Sequence, residues 1–399
     1  MRRYTAILLA TALVLAGAAP AVAAGAASPA ASAGPATATD ATAVVSSLGS
    51  VAARTDDGVE SCSFPFTATD ATGTEVTVEE RPERVTTLNP SAAQTMWEIG
   101  GREQVVGLSQ FATYLEGAES RTNVSAAGFG VNVETVVGTN PDLVLAPSAS
   151  SADTVAALRE AGLTVFYFSE AKTIEDVREK TTLTGQLTGN CEGAAEANAW
   201  MDANVEAAAT ATADLERPTA LYPLGGGYVA NTGTFISAMI EAAGGENVAG
   251  QRNFSTTYPQ VNDEVIVQLS PEVLVLTGST TYLTAQEPYA SLAAVRNNET
   301  VRVNRNYLNQ PAPRSVVYAV RNLTEGFHPE AAANAEFVAR GEVSVETEPT
   351  PEPTAEPTED GASQPTDEPD STETTAAGLG AAVAALALLA SALLARRGR

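Results

Sequence analysis

Lysine is almost absent from this 399-residue chain: Lys172 and Lys180 are its only two, and with arginine they bring the basic residues to 22 against 48 acidic ones. A formal net charge of −26 repels polyanions, so no nucleic acid partner is expected. Such an excess also destabilises a compact chain through self-repulsion unless the medium screens it. At molar salt the screening length falls to about 3 Å, so acid excess with lysine depletion reads as adaptation to high salt. Histidine is nearly missing as well. With His328 alone, a zinc or manganese site of converging imidazoles and carboxylates is not expected, and His328 itself reads as a helix-end residue. No Ser/His/Asp, Cys/His or metal-ligand spacing is visible, and the lone histidine lies far from any Gly-rich turn, so the chain reads as no enzyme and as needing no cofactor. Gly225-Gly-Gly227 lacks the Lys-Ser/Thr of a phosphate loop and predicts only a flexible turn.

The two ends carry targeting signals. Arg2 and Arg3, an apolar stretch from Ala6 to Ala19 and Ala21-Val22-Ala23 predict a signal peptide over 1–24, with no cysteine after it to take a bacterial lipid anchor. Residues 376–399 combine about 20 apolar positions with Arg396, Arg397 and Arg399, which predicts a C-terminal transmembrane anchor running from outside to inside. A Thr, Pro, Glu and Asp-rich segment over 341–375 cannot bury a core and reads as an extended acidic stalk, and 25–60 is a low-complexity linker. The expected location is the extracellular face of the membrane. Export places Cys62 and Cys191 in an oxidising compartment, where a disulfide between them is expected over two separate buried thiols. It also makes Asn123, Asn253, Asn298 and Asn322, each in an N-x-S/T sequon, candidate glycosylation sites.

The middle of the chain is a duplication. Glu134-Thr-Val-Val-Gly-Thr-Asn-Pro-Asp-Leu-Val-Leu145 lines up with Glu264-Val-Ile-Val-Gln-Leu-Ser-Pro-Glu-Val-Leu-Val275, and both read as a short helix, a proline turn and a buried strand. In the first half strands are predicted over 84–88, 104–108, 142–146 and 163–168, with a helix opened by a Ser91/Gln94 capping box and another over 152–161. The second half predicts strands over 219–222, 272–276 and 300–303 and helices over 234–243 and 314–325. Between them lie helical stretches over 174–187 and 192–215. The pattern is α/β: two Rossmann-like lobes with parallel sheets, 61–190 and 217–340, joined by one long α-helix over 191–216.

Arg84-Val-Thr-Thr-Leu-Asn-Pro-Ser91, Val105-Val-Gly-Leu-Ser109, Asn132-Val-Glu134, Ala243-Gly-Gly-Glu-Asn247, Tyr258-Pro-Gln-Val261 and Pro311-Ala-Pro-Arg-Ser315 together resemble the class III substrate-binding proteins of ABC importers, the cobalamin and ferric-siderophore group, over nearly all of 66–330. The resemblance implies a ligand held between two lobes, with an ABC permease and its ATPase as partners. It implies that Glu134 and Glu264, one at each lobe tip, dock onto permease arginines; the competing reading is a pair of solvated helix-face carboxylates. Aromatic residues in the loops after the strands are the candidate ligand contacts: Phe111, Tyr114 and Phe129 in the first lobe, Tyr228 and Tyr258 in the second, with Phe235 equally readable as core. Arg314 either faces the cleft, where similar siderophore binders set arginines against anionic chelates, or caps a helix. Tyr258-Pro-Gln-Val is similar to a stretch of the cobalamin binders, so a corrinoid is expected ahead of a ferric siderophore or haem. The acidic stalk, apolar helix and arginine cluster resemble the tail that archaeosortases process in haloarchaea, with a lipid then replacing the helix as anchor; Ala377-Gly-Leu-Gly380 stands where that signal has Pro-Gly-Phe. A cell-envelope adhesion protein is the rival from another class, but such chains repeat small β-domains and this one alternates strands with helices.

Overall fold

The computed structural model describes residues 62–345 with the exception of Phe129. The signal peptide, the 376–399 anchor, the linker as far as residue 60 and the stalk from 346 onward lie outside the described residues. Among those described, no helix is long and apolar enough to cross a membrane.

The chain begins with an antiparallel hairpin of β1 (Phe66–Thr69) and β2 (Glu75–Val78). It then alternates through β3 (Val85–Thr87), α1 (Pro90–Glu98), β4 (Val105–Leu108), β5 (Thr122–Asn123), α2 (Val133–Gly138), β6 (Leu143–Ala146), α3 (Ala152–Glu160) and β7 (Val165–Tyr167). These strands form a parallel sheet in the order β5-β4-β3-β6-β7. Two helices follow, α4 (Ile174–Thr188) and α5 (Cys191–Thr212). The second lobe runs β8 (Thr219–Leu221), β9 (Pro223–Gly225), β10 (Tyr228–Val229), α6 (Phe235–Ala242), β11 (Glu246–Asn247), α7 (Asp263–Leu269), β12 (Val273–Leu276), α8 (Ala293–Arg296), β13 (Thr300–Arg302), α9 (Arg305–Leu308), α10 (Pro313–Phe327) and α11 (Pro329–Asn334). Its parallel sheet has the order β11-β8-β12-β13, and β9 and β10 make a separate short antiparallel pair.

Each sheet is wound outward in both directions from a central strand pair, β3 and β6 in one lobe, β8 and β12 in the other. Burial on both faces explains why those centres read as apolar runs: every residue of β6 and of β12 is buried. The duplication has a structural reason. In both lobes the acid after the proline pins a central strand to its neighbour, Asp142 accepting from the backbone N–H groups of Glu83 and Arg84 at 2.9 and 2.8 Å, and Glu272 accepting from Thr219 N–H at 2.7 Å. The residue before each proline, Asn140 or Ser270, takes a positive φ of 46° or 41°.

The helix starts follow capping chemistry, with one correction. Thr173 and Asp176 form a reciprocal capping box on α4, and Gly189 ends that helix in the left-handed conformation at φ 72°. At α1 the cap is Asn89, not Ser91. Pro90 fits the first helical position, Asn89 Oδ1 accepts from Ala92 N–H at 3.2 Å, and Ser91 Oγ donates to Asn89 Oδ1 at 2.9 Å. Gln94 is thereby freed for a different task between the lobes.

α5 spans roughly 33 Å at 1.5 Å per residue and packs against α4 and α10. A Cβ at Gly193 would collide with the Ile99 carbonyl oxygen, so only glycine lets α5 lie this close to the end of α1. Cys62 is disulfide-bonded to Cys191, the first residue of α5, with 5.7 Å between the Cα atoms. At the other end of the body, Val338 lies along the same helix: its carbonyl accepts from Trp200 Nε1 at 3.0 Å and from Asn204 Nδ2 at 3.1 Å.

Candidate ligand groove

In doubly wound sheets the loops at the carboxyl ends of the central strands part in opposite directions and leave a crevice. Here both lobes turn that crevice toward one groove of about 1050 Å³. Lobe one supplies Leu88 to Ala92 after β3, Pro147 to Ser151 after β6, Ser109 and Phe111 after β4, and Phe168 after β7. Lobe two supplies Leu224 after β8, Ser279 after β12, Phe235 at the start of α6, Tyr258, and Arg305 to Pro311 after β13, without Tyr307 or Leu308. Glu170, just before α4, and Lys180 and Thr184 of α4 also line it. The volume is at the top of the roughly 300–1,000 Å³ of ordinary small-molecule sites, far too large for a bare ion. Among the described residues no cluster of three or more His, Cys, Asp or Glu is arranged to hold a metal.

The walls alternate apolar faces with small hydroxyls. Phe111, Phe168, Phe235 and Tyr258 present rings, while serines and asparagines offer short hydrogen-bonding groups that lose little entropy when fixed. Charge in the lining is sparse. Burial pulls Lys180 down to about 8, against the opposing fields of Asp176 and Glu170, and its Nζ donates to the Ser169 carbonyl. Burial also pushes the Tyr258 phenol up to about 12, reinforced by the Glu170 carboxylate. Tyr258 is therefore a neutral donor at physiological pH.

Of the aromatic residues expected at a ligand, Phe111 and Tyr258 line the groove, and Phe235 joins them while packing into the lobe-two core. Phe129 lies outside the described residues. Tyr114 does not reach the lining: burial raises it to about 12, and its hydroxyl accepts from Gln94 Nε2 at 2.6 Å. Tyr228 stands on β10, 45% exposed and away from the lining. Arg314 does not face the groove either; it sits in the first turn of α10 and ion-pairs with Glu98, whose side chain is 5% exposed. Burial raises the Glu98 carboxyl, while Arg314 and Arg340 oppose the shift. Beside this pair Gln94, fully buried on α1, accepts from Ser315 N–H at 3.0 Å and Ser315 Oγ at 2.8 Å. Gln94 and Arg314 thus serve the seam between lobes.

Phe168, Lys180, Arg305 and the serine run at 148–151 went unsingled in the sequence. The serines could have been found, since they directly follow the buried strand β6 at the switch point.

Glu134 and Glu264 occupy equivalent places. Each is exposed in the first turn of a short helix, α2 or α7, whose preceding Asn132 or Asn262 accepts from a backbone N–H three residues on at 2.9 Å. Asn123, Asn253 and Asn298 are exposed, whereas Asn322 is half-buried within α10 and its sequon partner Thr324 is fully buried, donating to the Val320 carbonyl at 2.8 Å. His328 ends α10, with Nε2 3.1 Å from the Gly244 carbonyl oxygen.

Comparison with known proteins agrees with this geometry. Residues 85–307 match the periplasmic binding protein family. A cobalamin-binding protein of Halobacterium salinarum is 49% identical over 283 residues, covering 68% of this chain and 76% of that one. The apo periplasmic heme-binding protein RhuT of Roseiflexus sp. RS-1 superposes with a TM-score of 0.57 at 25% identity, over 63% of this chain and 99% of that one. The periplasmic vitamin B12 binding protein BtuF of Vibrio cholerae shares the fold at a TM-score of 0.54 and 23% identity, over 62% and 97%. On these grounds the chain belongs to the periplasmic binding protein family, as a solute-binding protein and not an enzyme.

Proposed function

We propose that the groove captures a corrinoid of the cobalamin type and that the chain delivers it to the permease of an ABC importer. Membership of the family implies a body working outside the cytoplasm with a small-molecule ligand and transporter subunits as partners. The observation that carries the corrinoid reading is a groove of about 1050 Å³ with rings on both walls and few charges, in a chain 49% identical to a cobalamin-binding protein. A broad macrocycle fringed with amides gains from such apolar faces and from short hydroxyl and amide partners at the rim. Glu134 and Glu264 then serve as two separated acidic contacts that fix the body's orientation on the permease. In this reading the body is held at the cell surface by the 376–399 segment, or by a lipid that replaces it.

A ferric siderophore or haem is the second reading, supported by the likeness to a haem-binding structure and by a tyrosine hydroxyl in the groove. The test is titration of the exported body at molar salt with cyanocobalamin, haemin and a ferric siderophore, followed by calorimetry and visible absorbance. Saturable one-to-one binding of cyanocobalamin, weakened about tenfold by Phe111→Ala or Tyr258→Ala, is expected. Binding confined to haemin or the ferric chelate would overturn the corrinoid assignment.

A further inference from the structure

The groove lining holds two cations, Lys180 and Arg305, in a chain with more than twice as many acidic as basic residues. They are not equivalent. Lys180 is already engaged, with its Nζ on the Ser169 carbonyl and the carboxylates of Asp176 and Glu170 acting on it. Arg305, the first residue of α9 on the lobe-two wall, is exposed into the groove, and no described residue gives its guanidinium a hydrogen bond or an ion pair. The lining residues next to it in sequence, Asn306, Asn309 and Gln310, are neutral, Asn309 is itself held by the Tyr222 hydroxyl at 3.0 Å, and the one carboxylate of the lining, Glu170, lies on lobe one, where its field acts on Lys180.

An arginine left uncompensated inside a ligand site calls for an anionic oxygen on the ligand. Its five N–H groups form a planar fork that matches a phosphate or carboxylate, and the charge persists at every accessible pH. The strongly acidic body repels anions at long range, so an anionic ligand group needs a local cation to be accepted. At molar salt only contacts of a few ångströms escape screening, which a guanidinium in direct contact satisfies.

Resting on the corrinoid reading, we infer that Arg305 binds the anionic group of the ligand, which in cobalamin is the phosphodiester of the nucleotide tail, and so selects the complete corrinoid over one lacking that tail. The carboxylates of haem would offer the same chemistry from a different source. Two probes separate the inference from the reading beneath it: cyanocobalamin, and dicyanocobinamide, which has the same ring without the nucleotide and phosphate. Wild-type protein is expected to bind cyanocobalamin more tightly. Arg305→Gln should weaken cyanocobalamin about tenfold and leave dicyanocobinamide within twofold, while Arg305→Lys should retain part of the affinity. Equal losses for both probes, or no loss for cyanocobalamin, would overturn the role of Arg305 while leaving the corrinoid reading intact. If wild-type protein binds neither corrinoid but does bind haemin, the corrinoid reading falls, and a tenfold loss of haemin affinity in Arg305→Gln would still uphold the anion site. Binding of no probe by the wild type would overturn both.

Discussion

Replacing Arg314 with methionine should destabilise the protein at neutral pH and far less in acid. Glu98 lies at the seam between α1 and α10 with its side chain 5% exposed, and Arg314 is its ion-pair partner. Removing one member of such a buried pair costs about 3–5 kcal/mol, because the remaining charge stays desolvated and alone. Arg314 is itself 30% exposed and Arg340 still acts on Glu98, so the lower figure of about 3 kcal/mol applies. At about 2–4 °C per kcal/mol for a body of this size, the melting temperature should fall by roughly 6–12 °C at pH 7. The sign of the pH dependence follows from burial, which raises the folded carboxyl above its ordinary value of 4.5. Its favourable contribution is complete below 4.5 and is lost as pH rises through the folded value. Losing Arg314 moves that folded value higher, so the variant's deficit should open once pH passes the wild-type folded value, above 4.5, and nearly close below it. Thermal melts by circular dichroism at fixed molar salt, across pH 4 to 8, measure this directly. Glu98→Gln combined with Arg314→Met should recover most of the loss at pH 7. A pH-independent deficit, or no recovery in the double variant, would refute the buried-pair account.

Two further outcomes are expected. Glu134→Ala with Glu264→Ala should reduce uptake of the bound solute to background while its affinity stays within twofold; normal uptake by the double variant would return both carboxylates to the status of solvated helix-face residues. Ser109 Oγ is buried beside the groove with no hydrogen-bond partner among the described residues, so Ser109→Ala should raise the melting temperature of the unliganded protein by about 2–4 °C, and a fall would show that the hydroxyl is satisfied in solution.

The parallel cores were legible because β6 and β12 are buried on both faces, and a short, continuous apolar run following Pro141-Asp142 or Pro271-Glu272 fits a strand covered from two sides. The joining helix was legible from an alanine-rich stretch free of proline. The β1–β2 hairpin was missed because its exposed face carries Thr67, Thr69, Glu75 and Thr77, whose alternation with small apolar residues resembles the neighbouring linker. In the groove, Phe111 and Tyr258 could be found because loops after strands face the switch points. Arg305 and Lys180 could not, since which polar loop residue points inward depends on how two lobes meet. Arg314 misled for the same reason: nothing local distinguishes a residue facing a ligand from one facing the opposite lobe, and only the Glu98 contact decides it, while Gln94, read as half of a capping box, is placed at the seam only by its Ser315 contacts.

Both ends of the described body are fastened to one helix, Cys62 to the first residue of α5 by a covalent bond and Val338 to its middle through Trp200 and Asn204. α5 thus acts as a keel. Whatever precedes Cys62 or follows the last described residue pulls on that keel and not on the sheets, so flanking segments can be lengthened, exchanged or trimmed while the strand-end loops that shape the groove keep their spacing.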